Sequence, residues 1–137
     1  MIDLENNTQF EINISSLEKI VETLTKKDIE LLVVRNDEIR ILNKEHRKID
    51  KATDVLSFPL EYDFVNMPLG SIVISTDFVE EKAKEYGHAF NEEFSLLFIH
   101  GILHLLGFDH EVETGEHRAK EEELIKEFKL PDSLIVR

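Results

Sequence analysis

The sequence contains 137 residues, of which 42% are hydrophobic and 33% charged, with a formal net charge of −13 and no cysteine. This length suits one domain, which we expect to span residues 1–137, and the composition is typical of a soluble globular protein. Disulfides and thiolate ligands are excluded, and the acidic balance argues against a general nucleic-acid-binding surface, because phosphate contacts need Lys and Arg.

The chain shows neither a membrane span nor a signal peptide. No run approaches the ~18 apolar residues of a transmembrane helix, and the first ten residues lack a basic region followed by an apolar one. We therefore expect a cytoplasmic protein with no membrane partner.

Charge is distributed unevenly along the chain. Arg35–Lys51 contains six basic residues against four acidic ones, whereas Glu111–Glu127 contains seven acidic residues against three basic ones. If RNA binds this protein, we expect it at a local basic patch.

Hydrophobic periodicity predicts alternating strands and helices. Strands are predicted at Gln9–Ile14, Ile29–Val34, Val55–Phe58 and Ser71–Ser75. Helices are predicted after Ser15 or Ser16, after Asn36, after Asp77 (a capping-box pair with Glu80), after Asn91, and over about Thr114–Phe128.

The strands around residues 55 and 72 are separated by a loop, which favours an antiparallel or mixed sheet over a doubly wound parallel one. Pro59 restricts its strand to an edge or a terminus. The sequence therefore predicts an α+β fold in which a small mixed β-sheet is packed with helices around a buried central helix.

That central helix carries the main chemical signal, in FSLLFIHGILHLLGFDH at Phe94–His110. His100 and His104 are four residues apart and therefore project from the same face of a helix. Gly107 can adopt the left-handed conformation that turns the chain, which brings His110 round as a third ligand. Three imidazoles with a fourth position left for water describe a catalytic zinc site.

A single histidine on an apolar helix is more often a hydrogen-bonded core residue than a ligand. Six histidines placed at random would give this spacing on the order of one time in a hundred, so we favour the metal site. Zinc, as one ion, is the expected metal, although three imidazoles also suit nickel and copper. His88 and His117, in a loop and on the polar last helix, are predicted to face solvent.

The spacing HxxxHxxGxxH matches that of the metzincin proteases, HExxHxxGxxH, with one difference. The position of the proteases' catalytic glutamate is Gly101 here. Asp109 or Glu111 could substitute as an acid, but nothing in the sequence places either one beside the metal. A metalloprotease is therefore the least favoured alternative.

HGILHLLGFDH resembles the signature HGxLHLxGxDH of the YbeY family of bacterial endoribonucleases. HRKIDKATDVLSFP is similar to that family's RxxDxxTDVLSFP segment, and LGSIVIS is similar to its LGDIVIS strand. Together these matches cover most of the chain from about residue 35 to residue 125.

The resemblance implies a zinc-dependent, single-strand-specific endoribonuclease that acts in maturation of the 3′ end of small-subunit ribosomal RNA and in ribosome quality control. It implies that His100, His104 and His110 are metal ligands and that Arg47 acts on the phosphate. The implied partners are single-stranded rRNA and the small ribosomal subunit, and a ribosomal protein or GTPase could supply basic surface.

Two further questions stay open from the residues alone. Arg47 in a charged segment is more often a solvated side chain than a functional one. Thr53, Asp54 and Ser57 could line a cleft next to Arg47 and the metal, although Asp54 could equally stabilise a turn and Ser57 could face solvent. The main alternative function is a ribosome-assembly factor whose metal serves mainly structure.

Overall fold

The computed structural model describes residues 1–60, 67–107 and 116–130. Within these ranges the chain forms four strands and five helices. The strands are β1 (Ile2–Asn6), β2 (Ile29–Val34), β3 (Val55–Pro59) and β4 (Gly70–Ser75). The helices are α1 (Ile14–Leu24), α2 (Asn36–Arg47), α3 (Thr76–Tyr86), α4 (Phe90–Leu105) and α5 (Glu116–Glu127).

The strands form one mixed sheet in the order β1-β2-β4-β3. β1 and β4 run parallel to β2, whereas β3 runs antiparallel to β4 with Val55 opposite Ile74. The predicted α+β fold with a small mixed sheet is confirmed. Pro59 lies in β3, the edge strand, where its missing N–H removes no ladder hydrogen bond from the centre of the sheet.

The predicted position of the first strand is wrong. The strand at this end of the chain is Ile2–Asn6 and not Gln9–Ile14. Local hydrogen bonds stop the strand at Asn6, whose Oδ1 accepts from the backbone N–H and the hydroxyl of Thr8, at 2.9 and 2.7 Å. Such side-chain bonds compete with strand pairing. Phe10 instead stacks on Phe90 of α4, with ring centroids 4.5 Å apart.

Helices cover both faces of the sheet. Side chains of β2 and β4 alternate between a larger core, shared with α1 and α4, and a smaller one, shared with Ile39 of α2. α4 lies in the larger core and contacts β3, β4, α1, α3 and α5, so most of its side chains are buried. This burial confirms the predicted central helix and gives its polar residues fixed surroundings.

Asp77 joins α2 to α3. The sequence predicted that it caps its own helix, but Asp77 lies within the first turn of α3. Its carboxylate accepts hydrogen bonds from the Arg35 side chain at 3.0 Å and from the backbone N–H of Asn36 at 2.8 Å. The Arg35 guanidinium lowers the pKa of the Asp77 carboxyl. The carboxylate therefore caps the neighbouring helix, α2.

Among the described residues, we found no helix whose length and apolar character would allow it to cross a lipid bilayer.

Candidate metal centre

The last turns of α4 bring His100 and His104 together, as their spacing predicts. Their Nε2 atoms lie 3.2 Å apart, and their ring planes are inclined at 75°. Two imidazole nitrogens bound to one tetrahedral zinc ion at 2.0–2.1 Å would lie about 3.3 Å apart. Without an ion, the same distance suits a hydrogen bond between the two rings. The observed separation therefore fits either a hydrogen bond or two ligands of one zinc ion.

α5 adds a third imidazole that the sequence did not identify. His117 was predicted to face solvent, but only 1% of its surface is exposed. Its ring centroid lies 4.8 Å from those of both His100 and His104. One nitrogen from each of the three rings falls within a cluster no more than 4.8 Å across. The described residues thus provide three imidazoles that could hold a metal ion.

A buried glutamate supports this cluster. Glu121 of α5 has no exposed surface, and its Oε2 lies 3.1 Å from Nδ1 of His100 and 3.2 Å from Nε2 of His117. The sequence signal for both α5 residues is their spacing: His117 and Glu121 continue the buried stripe of Leu124 and Ile125 toward the start of the helix. Two polar residues on an apolar stripe are therefore the signal by which the sequence could have identified this part of the cluster.

His110, the third ligand expected from the sequence, lies outside the described residues, as do the candidate acids Asp109 and Glu111. The turn that leads toward His110 begins as predicted. Gly107 has a φ of 95°, in the left-handed region, and its N–H donates to the carbonyl oxygen of His104 at 3.0 Å. The assignment of His110 as a ligand stays a prediction.

Gly101 faces the sheet and not the histidines. A Cβ atom at this position would lie 3.1 Å from Ile72 Cγ2, 3.2 Å from Ser57 Oγ and 3.3 Å from Val55 Cγ2. A glutamate here would therefore have to enter the interface between α4 and the sheet. The structure gives a packing reason for the glycine that replaces the proteases' glutamate.

Ser57 and Asp54 have structural contacts. Ser57, which could have lined the cleft, donates its hydroxyl to the carbonyl oxygen of Gly101 at 3.1 Å, which ties β3 to α4. Asp54 accepts from the backbone N–H of Val55 at 2.8 Å and from the Thr53 hydroxyl at 3.3 Å. Of the two roles predicted for Asp54, its hydrogen bonds therefore agree with stabilising a turn.

Arg47 is the last residue of α2 and is exposed. It makes no hydrogen bond or ion pair with another described residue, whereas Arg40 on the same helix pairs with Asp50 at 2.8 Å. The neighbouring His46 ring contacts Phe58 of β3, with centroids 4.9 Å apart. The end of α2 therefore lies beside the edge strand that also contacts α4.

Comparison with known proteins identifies the family. The family model described as "Endoribonuclease YbeY" matches residues 2–129. The chain belongs to the YbeY family of endoribonucleases. This result confirms the resemblance seen in the three sequence segments.

Relatives from this family match the whole chain or nearly all of it. Endoribonuclease YbeY of Aliarcobacter butzleri is 72% identical over 138 residues, covering 100% of this chain and 99% of the relative. The protein of that name from Sulfurimonas denitrificans is 58% identical, with coverage of 100% and 98%.

The solution structure of TM1509 from Thermotoga maritima superposes with a TM-score of 0.65 at 33% identity. The superposition covers 93% of this chain and 89% of that one.

Proposed function

We propose that this chain is, as one domain, a zinc-dependent, single-strand-specific endoribonuclease that acts in maturation of the 3′ end of small-subunit ribosomal RNA and in ribosome quality control. The observation that carries the metal dependence is the 3.2 Å separation of the His100 and His104 Nε2 atoms beside a buried carboxylate. Family membership supports the choice of RNA as substrate. Because ribosomal RNA is processed in the cytoplasm of bacteria, we propose that the protein acts there.

His100, His104 and His110 would hold one zinc ion. The donor set fits, because neutral imidazoles are standard zinc ligands and the two observed nitrogens already have the required separation. A zinc ion held by three imidazoles would polarise a phosphoryl oxygen and would lower the pKa of a bound water to about 7. The protein's part is to fix the imidazole rings that would hold the ion.

Arg47 is proposed to bind the scissile phosphate. Its guanidinium is exposed and has no ionic partner among the described residues, so it is available for two parallel hydrogen bonds to a phosphate. Lys44 and Lys48 add positive charge to the same end of α2. Because the chain as a whole carries a net charge of −13, a ribosomal protein or GTPase partner would supply further basic surface.

The main competing function is a ribosome-assembly factor whose metal serves mainly structure. Contacts between α4 and α5 through Glu121 favour it, since an ion there would also join the two helices. A metalloprotease is disfavoured by Gly101, because a side chain added at this position would point into the sheet and not toward the histidines.

The test is cleavage of a single-stranded RNA that carries the 3′ end of small-subunit rRNA, with a fully paired duplex beside it. Wild type, His104→Ala and Arg47→Ala are compared, and zinc content is measured on the same samples. Arg118→Ala is the matched control, because Arg118 is an exposed arginine on acidic α5 that pairs with Glu122.

We expect wild type and Arg118→Ala to cut only the single strand, His104→Ala to lose zinc and cleavage, and Arg47→Ala to keep zinc and lose cleavage. Equal cleavage by all four proteins would contradict the proposal. Zinc without cleavage in the wild type would favour the structural alternative.

A further inference from the structure

Glu121 is an unusual residue for the inside of a small protein. It is fully buried on α5, where an ionised carboxylate needs hydrogen-bond donors or positive charge to offset its desolvation. Its Oε2 is 3.1 Å from His100 Nδ1 and 3.2 Å from His117 Nε2. One carboxylate oxygen thus approaches two imidazoles of the cluster.

The contact with His100 determines which nitrogen of that ring carries the proton. An ionised carboxylate only accepts hydrogen bonds, so the proton of the contact belongs to Nδ1 of His100. A neutral imidazole that carries its proton on Nδ1 has its lone pair on Nε2. That atom faces Nε2 of His104, at 3.2 Å. The lone pair of His100 is therefore on the nitrogen that faces His104, where a metal ion would bind.

We propose that Glu121 is a positioning residue of the metal centre, which holds His100 in the Nδ1–H tautomer with its Nε2 directed at the ion. This inference rests on the proposed function, and it adds a residue of α5 to a site that the sequence placed on and directly after α4. Metal-binding histidines commonly donate their second N–H to a carboxylate, and loss of such a partner lowers metal affinity by about 10–100-fold.

The molecule contains a matched control for this carboxylate. Glu93 is also fully buried, and its Oε1 lies 3.3 Å from Nδ1 of His88. The side chains of His88 and His100 are both 13% exposed. Glu93 lies in the first turn of α4, however, and His88 is not one of the clustered histidines. The molecule thus has one buried glutamate that contacts a histidine of the cluster and one that contacts a histidine outside it.

The experiment measures zinc affinity of the full chain by competition with a chromophoric chelator, for wild type, Glu121→Gln and Glu93→Gln. Glutamine keeps the size of the side chain but removes its charge. We expect the dissociation constant of Glu121→Gln to rise about 10–100-fold and that of Glu93→Gln to stay within about twofold of wild type. Cobalt substituted for zinc should show an altered visible spectrum in Glu121→Gln alone.

A second measurement needs no variant and so does not depend on the folding of Glu121→Gln. Long-range ¹H–¹⁵N correlation spectra of the metal-free wild type report which ring nitrogen of His100 carries the proton. We expect the Nδ1–H tautomer. The Nε2–H tautomer would overturn the proposal, because Glu121 would then not set the ring.

The outcomes separate this inference from the proposed function. Tight zinc binding by the wild type with the same affinity in Glu121→Gln would overturn the positioning role and leave the nuclease proposal intact. Equal weakening in Glu93→Gln and Glu121→Gln would show a general loss of fold and would also overturn it. A wild type that binds no zinc would overturn the proposed function, and the inference with it.

Discussion

Two buried glutamates contact histidines at opposite ends of α4, and they illustrate how similar chemistry serves different purposes. Glu93 and His88 lie five residues apart at the start of the helix, where the backbone N–H groups favour a negative charge. Glu121 and His100 lie 21 residues apart and join α5 to α4. The first contact stabilises a helix terminus, whereas the second fixes a side chain that can bind metal.

Distance in sequence explains the difference. A pair within one turn and its flanking loop forms as the helix forms, so its contribution is to local stability. A pair between two helices forms only when α5 packs on α4, which allows a side chain of α5 to hold a ring of α4 in one orientation. Changes at these positions should therefore separate stability from metal affinity.

The largest expected effect comes from placing a carboxylate in the middle of α4, where no histidine would contact it. Gly101→Glu should lower the free energy of unfolding by about 4 kcal/mol or more, because the side chain would enter the interface with Ile72, Ser57 and Val55. Urea denaturation measures the change. Gly101→Ala is the control, with an expected loss of about 1 kcal/mol from overpacking. Unchanged stability of Gly101→Glu would mean that position 101 does not face the sheet.

Removing the carboxylate at the start of α4 should affect stability alone. Glu93→Ala leaves Nδ1 of His88 without this acceptor and removes a negative charge from the helix N-terminus, so we expect a loss of about 2 kcal/mol. Urea unfolding of the zinc-loaded and the metal-free protein should show the same loss. A loss confined to the zinc-loaded protein would contradict the separation between the two glutamates.

His117→Phe tests the second imidazole beside Glu121. The ring keeps its approximate shape in a site that is 1% exposed, but the 3.2 Å contact with Glu121 is removed. We expect the zinc dissociation constant to rise by up to about tenfold, less than for Glu121→Gln. Competition with a chelator measures it. A rise as large as that caused by His104→Ala would instead make His117 a metal ligand.

The smallest effect is expected at Asp77, whose carboxylate is partly exposed and forms an ion pair with Arg35. Arg35 lowers the pKa of Asp77 in the folded state, so its stabilising contribution is present above the unfolded-state pKa of about 3.9 and is lost as the pH falls through the lower folded-state value. Asp77→Asn should lower stability at neutral pH by about 1 kcal/mol and flatten the loss below about pH 4. Urea denaturation at pH 3 to 7 tests both. If Asp77→Asn lost stability below pH 4 as steeply as wild type, Asp77 would not be the cause of that loss.

The placement of His100 and His104 could be predicted from the sequence because its signals are local. The spacing of His100 and His104 within an apolar run fixes both the helix and the shared face, and Gly107 adopts the expected left-handed turn. The strand error arose because Asn6 and Thr8 end β1 through side-chain bonds that periodicity does not reveal. These side-chain hydrogen bonds compete with the backbone hydrogen bonds of strand pairing, and a hydrophobic pattern does not report them.

His117 and Glu121 were missed for a different reason. α5 is rich in charge, and only its packing on α4 decides which of its polar residues are buried. A helical stripe that continues from Leu124 to His117 was present in the sequence, but burial of its polar members is a property of the tertiary structure. The predicted roles of His110 and Arg47 are still to be tested.

The most direct test of the metal centre is native mass spectrometry of the full chain with increasing zinc, for wild type beside His104→Ala. The account predicts that one zinc ion binds each wild-type chain first and tightly, and that His104→Ala shows no such ion at the same zinc concentration. Binding of one zinc ion with equal affinity by both proteins, or by neither, would contradict it.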